Sequence, residues 1–102
     1  RQLRIMATPK KEKRPVMALL ELLGKRWVLR IFWEMRDGQA YSFRDLQARC
    51  GNLSPTVLNG RMKDLRAAGY VELVEGGYSL TERGRQLLLI LQDLNDFASV
   101  SQ

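Results

Sequence analysis

Thr56, Asn59, Gly60 and Lys63 fall on one side of the stretch SPTVLNGRMKDLRAAG, residues 54–69. The other side carries Leu58, Met62 and Leu65 at helical spacing, so the segment reads as a helix with an apolar stripe inside and a small, polar, cationic face outside. Such a face offers hydrogen bonding at close range. The Asn59 amide presents a donor and an acceptor in one plane, which matches an adenine edge, and Lys63 is long enough to reach a guanine edge or a phosphate. Gly60 costs ~1 kcal/mol against alanine inside a helix. Its missing side chain lets another surface approach the backbone, although relief of crowding against a neighbouring helix is an alternative.

Other chemistries have little to stand on. The chain has no histidine and one cysteine, no Cys/His metal spacing, no phosphate-cradling glycine loop and no nucleophile spaced from a base. No enzyme activity, cofactor or metal is expected. Cys50 keeps the apolar phase of Phe43 and Leu46, which predicts a small buried hydrophobe; a redox switch in the turn is the alternative. Trp27 and Trp33 read as core side chains rather than ligand stackers.

The elements that would position this face follow from local signals. Pro15 opens and Gly24 closes a short helix with Val16, Leu19, Leu20 and Leu23 on one stripe. KRWVLRIFWEM predicts a central core helix from Lys25, carrying Val28, Ile31, Phe32 and Met35, with Trp27, Leu29 and Trp33 widening the stripe until most of its girth needs cover. After an extended Ala40 and Tyr41, Ser42 caps a two-turn helix with Asp45 three residues on. Gly51 and Asn52 stop it, and Ser54 and Pro55 start the next, ending at Gly69. Two short helices across a tight glycine turn describe a helix-turn-helix. A hairpin follows, turning at residues 75–77, and Thr81 caps a last helix running toward Phe97. Its five consecutive apolar residues, 87–91, exceed what one face of a small domain buries, so a partner helix is expected to cover the rest. The sum is a mainly α fold with a small β-hairpin, a winged helix-turn-helix.

At 102 residues the chain is one domain, with 45% hydrophobic residues and no apolar run approaching the ~20 needed to span a bilayer. Neither a signal peptide nor a disulfide framework is evident, which predicts a cytoplasmic protein. The formal charge is +6, and the first fourteen residues hold six cations against Glu12 alone, leaving eleven cations and ten acids in the other 88. Residues 1–14 therefore form a basic, flexible arm with Lys10, Lys11 and Lys13, and residues 15–102 the folded domain. MATPKK from Met6 looks like a natural start, so residues 1–5 read as an upstream extension.

Three stretches resemble the HxlR-type group of winged helix-turn-helix regulators, related to the MarR type. They are LLELLGKRWVLRIFWEM at the first two helices, FRDLQARCGNLSPTVLNGRMKDLRAAGYVEL at the helix-turn-helix and YSLTERGRQLL at the wing exit. The last is shared by many winged-helix families; the three in order and spacing are more specific. The resemblance implies a homodimeric, sequence-specific regulator of transcription that pairs through its terminal helices, with Val16, Leu20, Leu88, Leu91 and Leu94 as interface candidates. Two departures stand out. Oxidant-sensing members carry a cysteine just before Pro-Val at the first helix, where this chain has Arg14; and the wing, usually longer and often basic, is short here and carries Glu72 and Glu75.

For a helix-turn-helix, the second helix enters the major groove with its N-terminal end foremost. Ser54, Pro55 and Thr56 then form the tip, Asn59, Gly60 and Lys63 face the bases, and Arg61 and Arg66 flank them for phosphates. Arg44 serves the backbone from the preceding helix, and Lys25 and Arg26 extend the rim. The acidic wing repels phosphate, so the basic arm takes over that task. Duplex DNA and a second copy of the chain are the expected partners, on a pseudo-palindrome with half-sites ~34 Å apart. The competing reading is a protein-interaction module with a nonspecific basic tail, and RNA binding is a weaker third. Against the protein module, the Thr56 to Lys63 face has no aromatic or methionine anchor.

Overall fold

Leu46 from one helix, Leu58, Met62 and Leu65 from a second and Ile31, Phe32 and Met35 from a third meet in one core, all of them almost wholly buried. The computed structural model describes residues 14–100. Its elements run α1 (Pro15–Leu23), α2 (Val28–Glu34), α3 (Phe43–Arg49), α4 (Pro55–Ala67), β1 (Val71–Val74), β2 (Gly77–Leu80) and α5 (Glu82–Val100). This is the winged helix-turn-helix order. Each fully buried aliphatic or aromatic side chain contributes ~1.5–3 kcal/mol relative to exposure. Phe32 also meets the Tyr70 ring edge-on at 6.1 Å, which seats α2 beneath the turn that follows α4.

The hairpin is antiparallel, pairing Val71 with Leu80 and Val74 with Gly77. Its turn is therefore the two residues Glu75 and Gly76, and Gly77, expected in the turn, belongs to β2. Gly77 lies against a third extended segment: Tyr41 and Tyr78 exchange backbone hydrogen bonds of 2.8 Å in both directions. A Cβ on Gly77 would stand 2.2 Å from the Tyr41 carbonyl oxygen, and its φ of +128° is one that side chains rarely adopt, so only glycine fits.

Two expectations for α2 need correction. The helix begins at Val28, not Lys25, because Trp27 adopts a left-handed φ of 79°. Gly24 closes α1 with its N–H on the Leu20 carbonyl, and the chain must then reverse within three residues; full burial of Val28 and Ile31 offsets the strain of the non-glycine left-handed residue. Nor is the girth of α2 covered. Leu29 is 51% and Trp33 46% exposed, and they border an apolar cavity of about 380 Å³ between α2 and α5. Trp33, expected in the core, instead stacks under the Arg36 guanidinium at 4.2 Å.

The start of α5 is fixed from two sides. Thr81 Oγ1 accepts the Gly84 N–H at 3.0 Å and donates to the Gly69 carbonyl at 2.6 Å, so the predicted cap also ties α5 to the end of α4.

Candidate nucleic-acid interface

The turn between α3 and α4 is built from local bonds. Ser42 Oγ accepts the Asp45 N–H at 3.0 Å and starts α3. Gly51 and Asn52 take left-handed φ angles of 74° and 62°, and Gln47 receives the Asn52 N–H at 2.8 Å on its carbonyl while its amide donates to the Leu53 carbonyl at 3.0 Å. Leu53 is buried beneath. Ser54 then caps α4, accepting from Val57 N–H at 3.5 Å, with Pro55 in the first turn as expected.

On α4 the inward stripe is Leu58, Met62 and Leu65. Thr56, Asn59, Lys63 and Arg66 are exposed, and none of their side chains has a hydrogen-bond or ion-pair partner among the described residues. Gly60 is half-buried on the same side, and a Cβ there would meet nothing within 4 Å, so crowding against another helix is not its reason. Lys63 and Arg66 also border the groove between α4 and β1, with Glu72 and Leu73 on its far wall. Arg44 is exposed in the first turn of α3, likewise unpaired among the described residues.

Two cations expected in this set are held elsewhere. Arg61 donates from Nε to the Arg26 carbonyl at 3.0 Å and from a terminal nitrogen to Asp64 at 2.9 Å, and Lys25 reaches the same Asp64 oxygen at 3.1 Å. The reason is angular. At 100° per residue, Arg61 lies on the flank of Val57 and Asp64, toward the α1–α2 turn, and not on the flank of Asn59 and Arg66. The Lys25 hydrogen bond, outweighing desolvation, holds the Asp64 carboxyl below its usual range, with Arg61 adding to it. Arg26 lies over the Trp27 ring at 5.8 Å. Lys10, Lys11 and Lys13 lie outside the described residues.

A capped helix pair whose polar face has no partner among the described residues, followed by a two-stranded wing, is the geometry of a DNA-reading domain. The HxlR-like helix-turn-helix model matches residues 22–101 of the sequence. The chain belongs to the HxlR-like family. Among curated relatives, the HTH-type transcriptional regulator YvaP of Bacillus subtilis is 33% identical over 87 residues, which cover 78% of this chain and 80% of that one. Among solved structures, quinone-bound YodB of B. subtilis superposes with a TM-score of 0.75 at 31% identity, covering 85% of this chain and 98% of that one. A possible HxlR family transcriptional factor from Thermoplasma volcanium gives 0.72 at 33% identity, covering 86% and 84%. The HxlR-like chain described here is thus a DNA-binding helix-turn-helix regulator of transcription.

The remaining expected residues divide in this HxlR-like fold. Val16 and Leu20 on α1 and Leu94 on α5 are more than half exposed. Leu91 is half-buried, and Leu88 is 7% exposed inside the chain's own core, so it is not available to a partner as expected. Leu89, Ile90, Phe97 and Val100, which the sequence reading passed over, are 61–85% exposed. The spacing of Ile90, Leu94 and Phe97, at i, i+4 and i+7, was the available signal. Cys50 is 2% exposed, as expected for a small hydrophobe. Burial pushes its thiol pKa up against the weaker pull of Arg30, which suppresses the reactive thiolate.

Proposed function

We propose that the chain acts as a homodimer on a pseudo-palindromic duplex, with α4 in the major groove of each half-site. The observation that carries this reading is the outer face of α4, where Thr56, Asn59, Lys63 and Arg66 lack partners among the described residues while Leu58, Met62 and Leu65 of the inward stripe are buried. Ser54, Pro55 and Thr56 lead, with the positive end of the helix dipole toward phosphate. Asn59 and Lys63 read base edges, with Gly60 allowing close approach, and Arg66 and Arg44 hold the backbone. The exposed apolar residues of α1 and α5, among them Val16, Leu20, Leu94 and Phe97, support pairing of two copies. The basic arm, residues 1–14, supplies phosphate contacts that the wing, with Glu72 and Glu75, does not.

Cysteine chemistry is not part of this reading. YodB has been solved with quinone bound; here Arg14 precedes Pro15 and Val16, and Cys50 is buried.

The test is selection of bound sequences from a random duplex pool at near-physiological salt, with the parent beside an Asn59→Ala, Lys63→Ala variant. The expected result is an enriched inverted repeat with half-sites about one helical turn apart, which the variant loses or relaxes. Equal binding of all duplexes by both proteins, released as salt rises, would reject base reading by α4 and bring the protein-interaction alternative forward.

A further inference from the structure

We propose that Asp64 is a positioning residue for α4: it fastens the helix to the α1–α2 turn and thereby sets sequence specificity without touching DNA. This rests on the reading of α4 as the DNA-facing helix. One Asp64 oxygen accepts from Lys25 at 3.1 Å and from Arg61 at 2.9 Å, and Arg61 in turn donates to the Arg26 carbonyl at 3.0 Å. Two bonds thus join the flank of α4 to residues 25 and 26, and the Arg61–Asp64 pair couples them within α4.

The anchor is stiff. The Gly24 N–H is bonded to the Leu20 carbonyl and the Lys25 N–H to that of Leu22, Trp27 is left-handed, and Val28 behind it is fully buried. By contrast, α4 rests on the core through the Leu58, Met62 and Leu65 stripe, with Val57 alone packing from the Asp64 flank, and the polar bonds of that flank add to its hold on the roll of the helix. The clamp lies roughly 100° around the helix from Lys63, where it resists that roll. It also joins α4 to α1, whose outer residues belong to the proposed subunit interface, so the arrangement of two copies bears on α4 through the same bonds.

Asp64 has a second effect, through charge. It holds Lys25 and Arg61 in place, 46% and 27% exposed, and offsets one of their two charges beside the DNA-facing surface. Without the carboxylate Lys25 is released and Arg61 keeps only its bond to the Arg26 carbonyl, so their charge becomes available to phosphates of any sequence. Loss of positioning lowers specific affinity, and release of the cations raises nonspecific affinity. A residue needed only for folding would not move the two in opposite directions.

The experiment measures binding of the full chain to a duplex enriched from the random pool and to an unenriched duplex of equal length, across salt concentrations. For Asp64→Asn the expected result is up to about tenfold weaker binding of the enriched duplex, the scale of partly exposed ion pairs. Binding to the unenriched duplex should be tighter, with a salt slope steeper by ~0.9 for each freed cation that reaches a phosphate. Asp64→Glu should recover most of the specificity, and Lys25→Met should weaken the enriched duplex without the nonspecific gain. Parallel shifts on both duplexes, or no shift, would overturn the proposal. If Asp64→Asn does not fold, Lys25→Met decides: unchanged specific affinity rejects the clamp. The Asn59→Ala, Lys63→Ala variant separates the two ideas. If it loses specificity while the Asp64 and Lys25 variants do not, only the clamp falls; if it keeps specificity, the reading of α4 and the clamp fall together.

Discussion

Helices α4 and α5 each bury one face and leave the other bare, and the bare faces are opposites. Among the exposed side chains of α4 are the polar Thr56, Asn59, Lys63 and Arg66; among those of α5 are the large apolar Leu89, Ile90, Leu94, Phe97 and Val100. The buried stripes are nearly interchangeable, since both are leucine-rich and close-packed. What a helix leaves uncovered therefore says more about its partner than what it buries. A polar face with no partners among the described residues suits a hydrogen-bonding surface, and an apolar one suits another protein surface, in the proposed reading a second copy.

The largest effect should come from spoiling the apolar face. Leu94→Asp together with Phe97→Asp puts two charges where the proposed interface forgoes ~1.5–3 kcal/mol of burial for each side chain lost. Sedimentation should show a monomer, and affinity for an inverted-repeat duplex should fall by about 100-fold or more as the two half-sites cease to be bound together. A dimer that persists would take α5 out of the interface.

The two glycines within these helices sharpen the contrast. A Cβ on Gly84 would stand 2.1 Å from the Tyr70 carbonyl oxygen, where the first turn of α5 crosses the loop after α4. Gly84→Ala should cost about 1–3 kcal/mol, as overpacking does, and lower Tm by roughly 4–8 °C for each kcal/mol in a domain of this size. An unchanged Tm would mean that α5 does not rest on that loop. Gly60 faces open space. Gly60→Ala should instead stabilise the fold by up to ~1 kcal/mol while weakening binding to the selected duplex, because the added methyl holds the backbone off the bases. A variant that gains in both respects would show that the approach at Gly60 is not close.

These cases also mark what a single sequence makes legible. The caps at Ser42, Ser54 and Thr81 and the first-turn prolines are local, depending on residues within one turn, and they placed the starts of α1, α3, α4 and α5, whereas α2, which has no such cap, starts three residues later than expected. The outer face of α4 was readable for the same reason, since helical phase alone separates Asn59 and Lys63 from Leu58 and Met62. Contacts between distant segments were not. Lys25 and Asp64 are 39 residues apart, and nothing local to either announces the pair, although Asp64 three residues after Arg61 was a hint that Arg61 is engaged. The left-handed Trp27 likewise reflects the reversal between α1 and α2. Within residues 87–91 every side chain is apolar, so periodicity could not choose between Leu88 and Leu89. The choice is made by Gly84 against Tyr70, which rolls Leu87 and Leu88 inward.

The smallest effect concerns the frame that both helices share. Tyr41 donates a short hydrogen bond to Asp37 and the Gln39 N–H donates another at 3.1 Å, and these bonds, the Tyr41 bond first, hold the Asp37 carboxyl below its usual range. Asp64 is lowered in the same direction, chiefly by Lys25. A carboxyl whose pKa is lower folded than unfolded stabilises the fold in its ionised form. That contribution is complete above the ordinary carboxylate range, near ~4, and is lost as pH falls through the folded value. Urea unfolding should therefore give a nearly constant free energy from pH 7 to 5 and a decline below about 4. Asp37→Asn should flatten part of that decline while leaving subunit pairing and sequence preference at pH 7 as in the parent, because neither Asp37 nor Tyr41 belongs to the exposed sets of α4 and α5. An equally steep decline in the variant would mean that Asp37 is not held by Tyr41 in solution, and a changed sequence preference would mean that the frame beneath α3 and the face of α4 are not independent.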